Sequence, residues 1–492
     1  MKYRLMGIIM TAVLLGTSVS LASKETGEEK AGRVHQHLDF RMEAGCDCEG
    51  EELCSHLPLV VIDTRGQELP GQVTGKWDRF GQSLYTKAAD GDSVIAGDFS
   101  VIFNEERNNH LGDVPDIKTD CELRVRGNSS RHFPKKSYAI KLVEKDGTGK
   151  KVPVMGMGAH QEWVLNGPIL DKSLVRNYMW YNISGEVMDY APNVRFCEVI
   201  LNGEYEGLYL MVESITDGED CRLNLTMKVK NSRESGYLLR IDRPTEENLE
   251  SVRDIYTFNE RMCNLSEDVS IRFPGPSKLT PKLAKEIELD YGAFEKSLFS
   301  FDFDTKEYGY WNWIDVGNFV DYFLINEFTK NLDAGSYSTY IYKEVGEKYK
   351  LCVWDFNNAC DNYIETETPV EGFFLYQYVW FFMLCKDENF VERVIKRYEE
   401  LRDGWLEEDF LMNYIDETLK YLGPAVDRNN ERWATEIAEW NGLELLERNL
   451  HSHEEAVGQL KGWLKRRGRW MDDNLHTLRK FSHFSRNKVY HH

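Results

Sequence analysis

Hydrophobic periodicity changes partway along this chain, and the change limits the folds open to it. Residues 57–63 (LPLVVID) form a short strand-like apolar run, and in 83–85, 93–103, 122–126 and 137–142 apolar positions recur every second residue, the period of a half-buried strand. Two further runs, 196–201 and 206–213, flank Asn202-Gly203, a two-residue hairpin turn, and 236–242 (GYLLRID) reads as another strand. After about residue 279 the spacing becomes helical, over 281–298, 314–330, 389–406 and 454–478. Strands first and helices afterwards is an α+β order, with a β-rich N-terminal part followed by a helical C-terminal part. No fixed-period repeat or low-complexity tract interrupts it.

The first residues are set apart. Lys2 and Arg4 precede an apolar run over 5–15, and Ser20-Leu21-Ala22 closes the segment, which reads as a secretory signal cut near Ala22. The run is shorter than the ~20 residues a membrane span needs, and no cysteine follows it to carry a lipid. The apolar stretch 372–385 is short, broken by Gln377, and expected to be a buried helix. The expected divisions are 1–22 signal peptide, 23–55 acidic cysteine-containing linker, 56–112 β-rich region and 113–482 main domain. The mature protein is expected to be secreted or held at the cell surface, without a stable membrane span.

Composition excludes two classes. Over 492 residues, 42% hydrophobic and 12% aromatic content rules out wholesale disorder. Lys plus Arg (60) against Asp plus Glu (82) leaves a net charge of -22, which repels nucleic acid from most of the surface. Ten cysteines in an exported chain invite disulfides. Cys46, Cys48 and Cys54 lie in one acidic stretch, and with His35 and His37 they also suggest a metal site. Because C-x-C followed by C-x5-C is not a familiar zinc spacing, the expectation is one or two bridges plus buried thiols.

The chemistry concentrates in residues 314–361. Glu327 falls on the apolar stripe of a helix formed by Val316, Val320, Phe323, Leu324 and Phe328, where a carboxylate is costly unless paired or functional. The helix ends at Asn331-Leu332-Asp333, and STYIYKEV and KYKLCVWDF then alternate as two strands around Gly346-Glu347. Folding that hairpin brings the Asn331/Asp333 loop beside Asp355. One carboxylate then suits a hydroxyl proton and the other a divalent cation, with Asn357, Asn358 and Asp361 as further oxygen donors. The earlier connection, holding Arg126, Gly127, Asn128, Ser129, Ser130, Arg131, Lys135 and Lys136, has the composition of a phosphate cradle or of a solvated turn. On the next strand Tyr138, Ile140 and Leu142 share one face and Ser137, Ala139 and Lys141 the other, with Glu213 in a position to pair Lys141. Lys461, Lys465, Arg466, Arg467 and Arg469 read as a solvated cationic face of the last helix. Together these residues suit metal-dependent phosphoryl transfer.

The segments LRVRGNSSRHFPKKSYAIKL, WVLNGPILDKSLVRNYM, VILNGEYEGLYLMVE, GYLLRID, INEFTKNLDAGSYSTYIYK and VWDFNNA, with DRNNERW (427–433) and WLKRRGRWMDDNL (463–475), resemble in order and content the CotH family of spore-coat protein kinases and secreted relatives. The resemblance runs from about Cys121 into the last helix. It implies a diverged protein-kinase-like two-lobed fold that uses ATP and Mg²⁺ or Mn²⁺ to phosphorylate Ser or Thr of exported or coat proteins. By the same resemblance Asp333 matches the catalytic-loop aspartate, with Asn331 in its loop, and Asp355 the metal-binding aspartate of a W-D-F-D motif. Lys141 stands where conventional kinases have the V-A-I-K lysine, Lys136 competes for that role, and Arg126 and Glu213 are assigned phosphate contact and lysine pairing. Here W-D-F-D is W-D-F-N, so Asn357 replaces the second acid and reduces the charge offered to metal.

Two other readings stand beside the exported kinase. One is a catalytically weak or inactive module of the same fold serving cell-surface or spore-coat assembly. The other is carbohydrate processing, suggested by 12 Trp, 25 Tyr and 24 Phe, although a cationic loop has no purpose in a glycosidase.

Overall fold

The computed structural model describes residues 46, 48, 53–104, 106–216, 223–225, 235–243, 253–255, 268–363, 366–378, 380–439 and 450–486. The expected signal peptide and most of the expected linker lie outside these residues.

The N-terminal strands are β1 (Cys54–Ser55), β2 (Leu59–Asp63), β3 (Val73–Trp77), β4 (Ser83–Tyr85), β5 (Ile95–Ile102), β6 (Asn109–His110) and β7 (Ile117–Arg126). They continue as β8 (Ser137–Val143), β9 (Val152–Pro153), β10 (Ala159–His160), β11 (Glu162–Asn166), β12 (Val194–Leu201) and β13 (Glu204–Glu213). Seven of them close a barrel in the order β11-β13-β12-β2-β5-β7-β8. All its pairings are antiparallel except β12 with β2. Strands of 56–112 and of 113–213 are therefore staves of one barrel, and the division expected at residue 112 falls between them. Asn202 (φ 54°) and Gly203 (φ 83°) both take positive φ, as a tight turn between β12 and β13 demands.

Alternation decides what the barrel holds. Cys121, Leu123 and Val125 of β7, Tyr138, Ile140 and Leu142 of β8, Trp163 and Leu165 of β11, and Tyr209 and Met211 of β13 fill the interior. Val164, Leu210 and Val212, one residue out of phase, face outward onto a second, larger core.

That core is made by a five-stranded sheet and the helices. The sheet runs β15-β16-β14-β17-β18, from β14 (Tyr237–Asp242), β15 (Arg253–Ile255), β16 (Asp268–Phe273), β17 (Thr339–Lys343) and β18 (Lys350–Cys352). The helices are α1 (Arg176–Val187), α2 (Pro281–Leu298), α3 (Val316–Thr329), α4 (Phe381–Leu384), α5 (Glu388–Arg402), α6 (Glu408–Leu422), α7 (Pro424–Arg432), α8 (Ala434–Glu439) and α9 (His453–Asn474). The structure is thus mixed α+β, β-rich first and helical afterwards. The stretch 372–385 is less regular than expected. It forms a short turn at Leu375–Gln377 and the single helical turn α4, with Leu375, Trp380, Phe381 and Leu384 buried. No helix of the described residues is long and apolar enough to cross a membrane.

Local signals set the helix ends. Thr280 caps α2 by accepting a hydrogen bond from the Leu283 N–H at 3.2 Å, and Pro281 opens the helix with its φ already suited. Thr280→Ala is expected to lower stability by about 1 kcal/mol in urea unfolding, with no effect at the site described below.

Glu327 and Arg467 account for the charged residue on the α3 stripe. Both side chains are fully buried, and they pair at 2.9 Å. The Glu327 carboxylate also accepts from the backbone N–H groups of Phe374 and Leu375. Arg467 donates in addition to the carbonyls of Val370, Gly372 and Glu327. The expectation of a solvated cationic face is therefore corrected at Arg467: a fully extended donor set is worth burying when carbonyls and a carboxylate surround it.

Candidate functional site

The loop after α3 and the segment after β18 meet as the hairpin geometry requires. Lys330 ends α3 in the left-handed conformation (φ 44°), which turns the chain into Asn331 and Asp333. Asn331 Nδ2 donates to the Asp355 carbonyl at 3.0 Å, and Asn358 Nδ2 to Asp333 Oδ2 at 2.9 Å. The site is thus tied together at both residues. Asp355 itself is held at φ 56°, a conformation that costs an aspartate roughly 1 kcal/mol.

Charge at the site is unbalanced. Burial, and then the neighbouring Asp355 charge, pushes the Asp333 carboxyl up to about 6, against relief from Arg243 and the Asn358 hydrogen bond. Burial also raises Asp355, opposed by the Asn357 N–H and by Arg126. Among the described residues, Asn331 Oδ1 is buried and finds no hydrogen-bond partner. Its orientation is fixed, because Asn331 Nδ2 donates to Asn326 Oδ1 at 3.2 Å and Asn326 Nδ2 donates to the Tyr322 carbonyl.

Arg126, at the end of β7, reaches this site. Its guanidinium lies 5.6 Å from the centre of the Trp354 ring, and it lines one small cavity with Val164, Asn166, Asn177, Tyr181, Val212 and Asp355. That cavity is only about 10 Å³, room for a single water. A second hollow of about 450 Å³ lies elsewhere, between α3 and α5.

The other expected cations are placed differently. Lys136 donates to the Arg131 carbonyl at 2.7 Å. Lys141 pairs with Glu122, its cross-strand neighbour on β7, at 2.9 Å. Glu213 is buried against His160 (3.2 Å), the Tyr190 hydroxyl (3.2 Å) and the Asn193 side-chain amide (2.9 Å). The register explains why Glu213 and Lys141 are not joined. Glu213 lies opposite Trp163 on the inward row, and Lys141 opposite Glu162 on the outward row. The expected pairing is therefore corrected: the sheet separates the two residues by one face.

Two residues that shape the site were missed in the sequence. Asn177 of α1 accepts from the Phe356 N–H at 2.7 Å and donates to Asn357 Oδ1 at 3.0 Å. The Tyr181 hydroxyl accepts from the Asp355 N–H at 3.0 Å. The signal was present in RNYMWYNI, where polar residues recur inside an apolar run and need buried partners. Among the described residues no disulfide forms: Cys46, Cys48, Cys54, Cys121, Cys197, Cys352, Cys360 and Cys385 are thiols, five of them buried. The expected bridges are not made there, and Cys221 and Cys263 lie outside the described residues.

A barrel and a helical part thus bring two raised carboxylates, an amide and an arginine together in one place. The family model described as CotH kinase protein matches residues 123–471, from β7 into α9, and the chain belongs to that family. Over 100 residues, 20% of this chain, it is 33% identical to the inner spore coat protein H of Bacillus subtilis (strain 168). That match spans 25% of the relative's length.

Proposed function

We propose that this chain is an exported protein kinase of two-lobed, kinase-like construction, which transfers the γ-phosphate of ATP to Ser or Thr of coat or other extracytoplasmic proteins. The observation that carries this reading is the convergence of Asp333 and Asp355, both raised by burial, beside Arg126. Membership of a kinase family and likeness to a spore coat protein support it.

The donor set fits a hard divalent cation. The Asp355 carboxylate and the Asn357 amide oxygen would hold Mg²⁺ or Mn²⁺, and such an ion would favour the ionised form of aspartates that burial raises. Bound there, the cation supplies electrostatic stabilisation of the phosphate oxygens. Asp333 takes the substrate hydroxyl proton at Oδ1, while Asn358 holds Oδ2. The hydroxyl oxygen bonds to the γ-phosphorus as the bond to the β–γ bridging oxygen breaks, and ADP leaves. Arg126 offsets phosphate charge. Asn177 and Tyr181 keep the 355–357 backbone in place. The row Ala139, Val164 and Val212 on the outer barrel face offers an apolar strip to a base.

Nucleotide entry requires the barrel face to move away from Asp355, since the space at Arg126 holds one water. That closed space, with Asn357 in place of an acid, favours the second reading of an inactive assembly module. Incubation of the purified protein with γ-labelled ATP, Mg²⁺ or Mn²⁺ and a generic Ser/Thr protein separates the two. Label is expected with wild type and about 100-fold less with Asp355→Ala. Absence of label with either metal, and no nucleotide-induced shift in Tm, would leave the assembly module.

A further inference from the structure

The thiols ahead of the matched region are not scattered. Cys46, Cys48, Cys54 and His110 present one ligand atom each, all within 4.8 Å of one another. Cys46 Sγ lies 3.1 Å from His110 Nε2. A tetrahedron with Zn–S bonds of about 2.3 Å places its ligand atoms about 3.7 Å apart, so seating an ion takes shifts of about 1 Å or less, with the Cys46–His110 pair opening and the wider pairs closing.

We propose that these four residues form a structural zinc site of the Cys₃His type. His35 and His37, the histidines near in sequence, lie outside the described residues. The fourth ligand comes from 64 positions beyond Cys46 and is supplied by strand pairing. Cys54 of β1 lies directly opposite His110 of β6.

The surroundings match what a thiolate-bound metal requires. His110 turns Nε2 toward Cys46, and Asp113 Oδ2 lies 3.6 Å from Nδ1, so a carboxylate sits behind the ligating ring. Asp113 is itself oriented by Arg107 (2.9 Å) and by the His110 N–H (3.0 Å). Asn108 Nδ2 donates to Cys54 Sγ at 3.1 Å, a hydrogen bond that steadies a thiolate. Three thiolates and one imidazole leave no open position, which marks a structural rather than a catalytic ion.

The site also has a mechanical purpose. The β1–β6 ladder is two residue pairs long, too short to hold itself. It nevertheless fixes the chain just before β2, the strand that closes the barrel against β12. A metal would fasten the incoming chain to the connection between β5 and β7. All four ligands precede residue 123, so the site is a property of this N-terminal segment, separate from the matched region and from the aspartates.

The test is metal content of the purified full chain by mass spectrometry, followed by replacement with Co²⁺. About one zinc per chain and thiolate-to-cobalt absorption are expected. Both should disappear in Cys48→Ser, whose side chain is exposed and whose fold is checked by circular dichroism, and persist in Asp355→Ala. Asp113→Ala should weaken retention against a chelator by about 10–100-fold while leaving the ligands in place. Wild-type protein that takes up neither zinc nor cobalt under reducing conditions would overturn the proposal. So would a disulfide joining two of Cys46, Cys48 and Cys54 in protein isolated without reductant.

Discussion

Asp333→Asn is expected to slow phosphoryl transfer by about 10²–10⁴-fold, the range for loss of a positioned general base, while making the metal-free protein harder to unfold. The two effects share a cause. The carboxyl is raised to about 6 in the native protein, mainly by burial, against about 3.9 in the unfolded chain. Between those values the native state holds a proton that the unfolded state has released, so stability falls as pH rises from about 4 to about 6. Above that window the penalty is complete. It amounts to at most about 3 kcal/mol and about 1–2 kcal/mol after allowance for partial exposure. Urea unfolding in EDTA should therefore show Asp333→Asn more stable than wild type at pH 7 and equal to it near pH 4. A variant that loses activity without gaining stability would remove the buried charge from the account. Retained activity would remove the base.

Arg467→Ala is expected to destabilise by about 3–5 kcal/mol, because it strands the fully buried Glu327 carboxylate. The carbonyls of Val370 and Gly372 lose a donor at the same time. Glu327→Gln is milder, since an amide oxygen in the place of Oε2 still accepts from both Phe374 and Leu375. The double change Glu327→Leu with Arg467→Met should recover much of the loss, as apolar replacements of buried pairs do. Thermal unfolding ranks the three variants against wild type, and adding the single changes Glu327→Leu and Arg467→Met completes the cycle that gives the coupling.

Those parts of the fold that short-range chemistry specifies were legible in the sequence. The Asn202-Gly203 hairpin follows from its turn residues and the 281–298 helix from its helical spacing. The convergence of Asn331, Asp333 and Asp355 was also legible, because a short hairpin leaves its open ends one place to go. Helix α1 was not. Every one of its residues is buried, so it has no polar face and shows no helical period. With it Asn177 and Tyr181 were lost. Barrel closure was hidden for another reason. The β12–β2 pairing joins strands far apart in sequence, and nothing in either marks the other as partner. The same separation hid His110 from the cysteines, and the register that puts Glu213 and Lys141 on opposite faces was hidden with it. Arg467 was misread because exposure was inferred from its charged neighbours, whereas helical rotation turns it alone toward the core.

The Glu327–Arg467 pair also sets an order of events during synthesis. Its members are 140 positions apart, and the helix carrying Glu327 leads directly into the loop of Asp333. A nascent chain long enough to contain Asp333 and Asp355 still lacks the cation that neutralises the helix beneath them. The carboxylates gain their final setting only when α9 leaves the ribosome or, in an exported chain, emerges across the membrane. Until α9 is made, the loop of Asp333 rests on a helix whose buried carboxylate has no cation to meet.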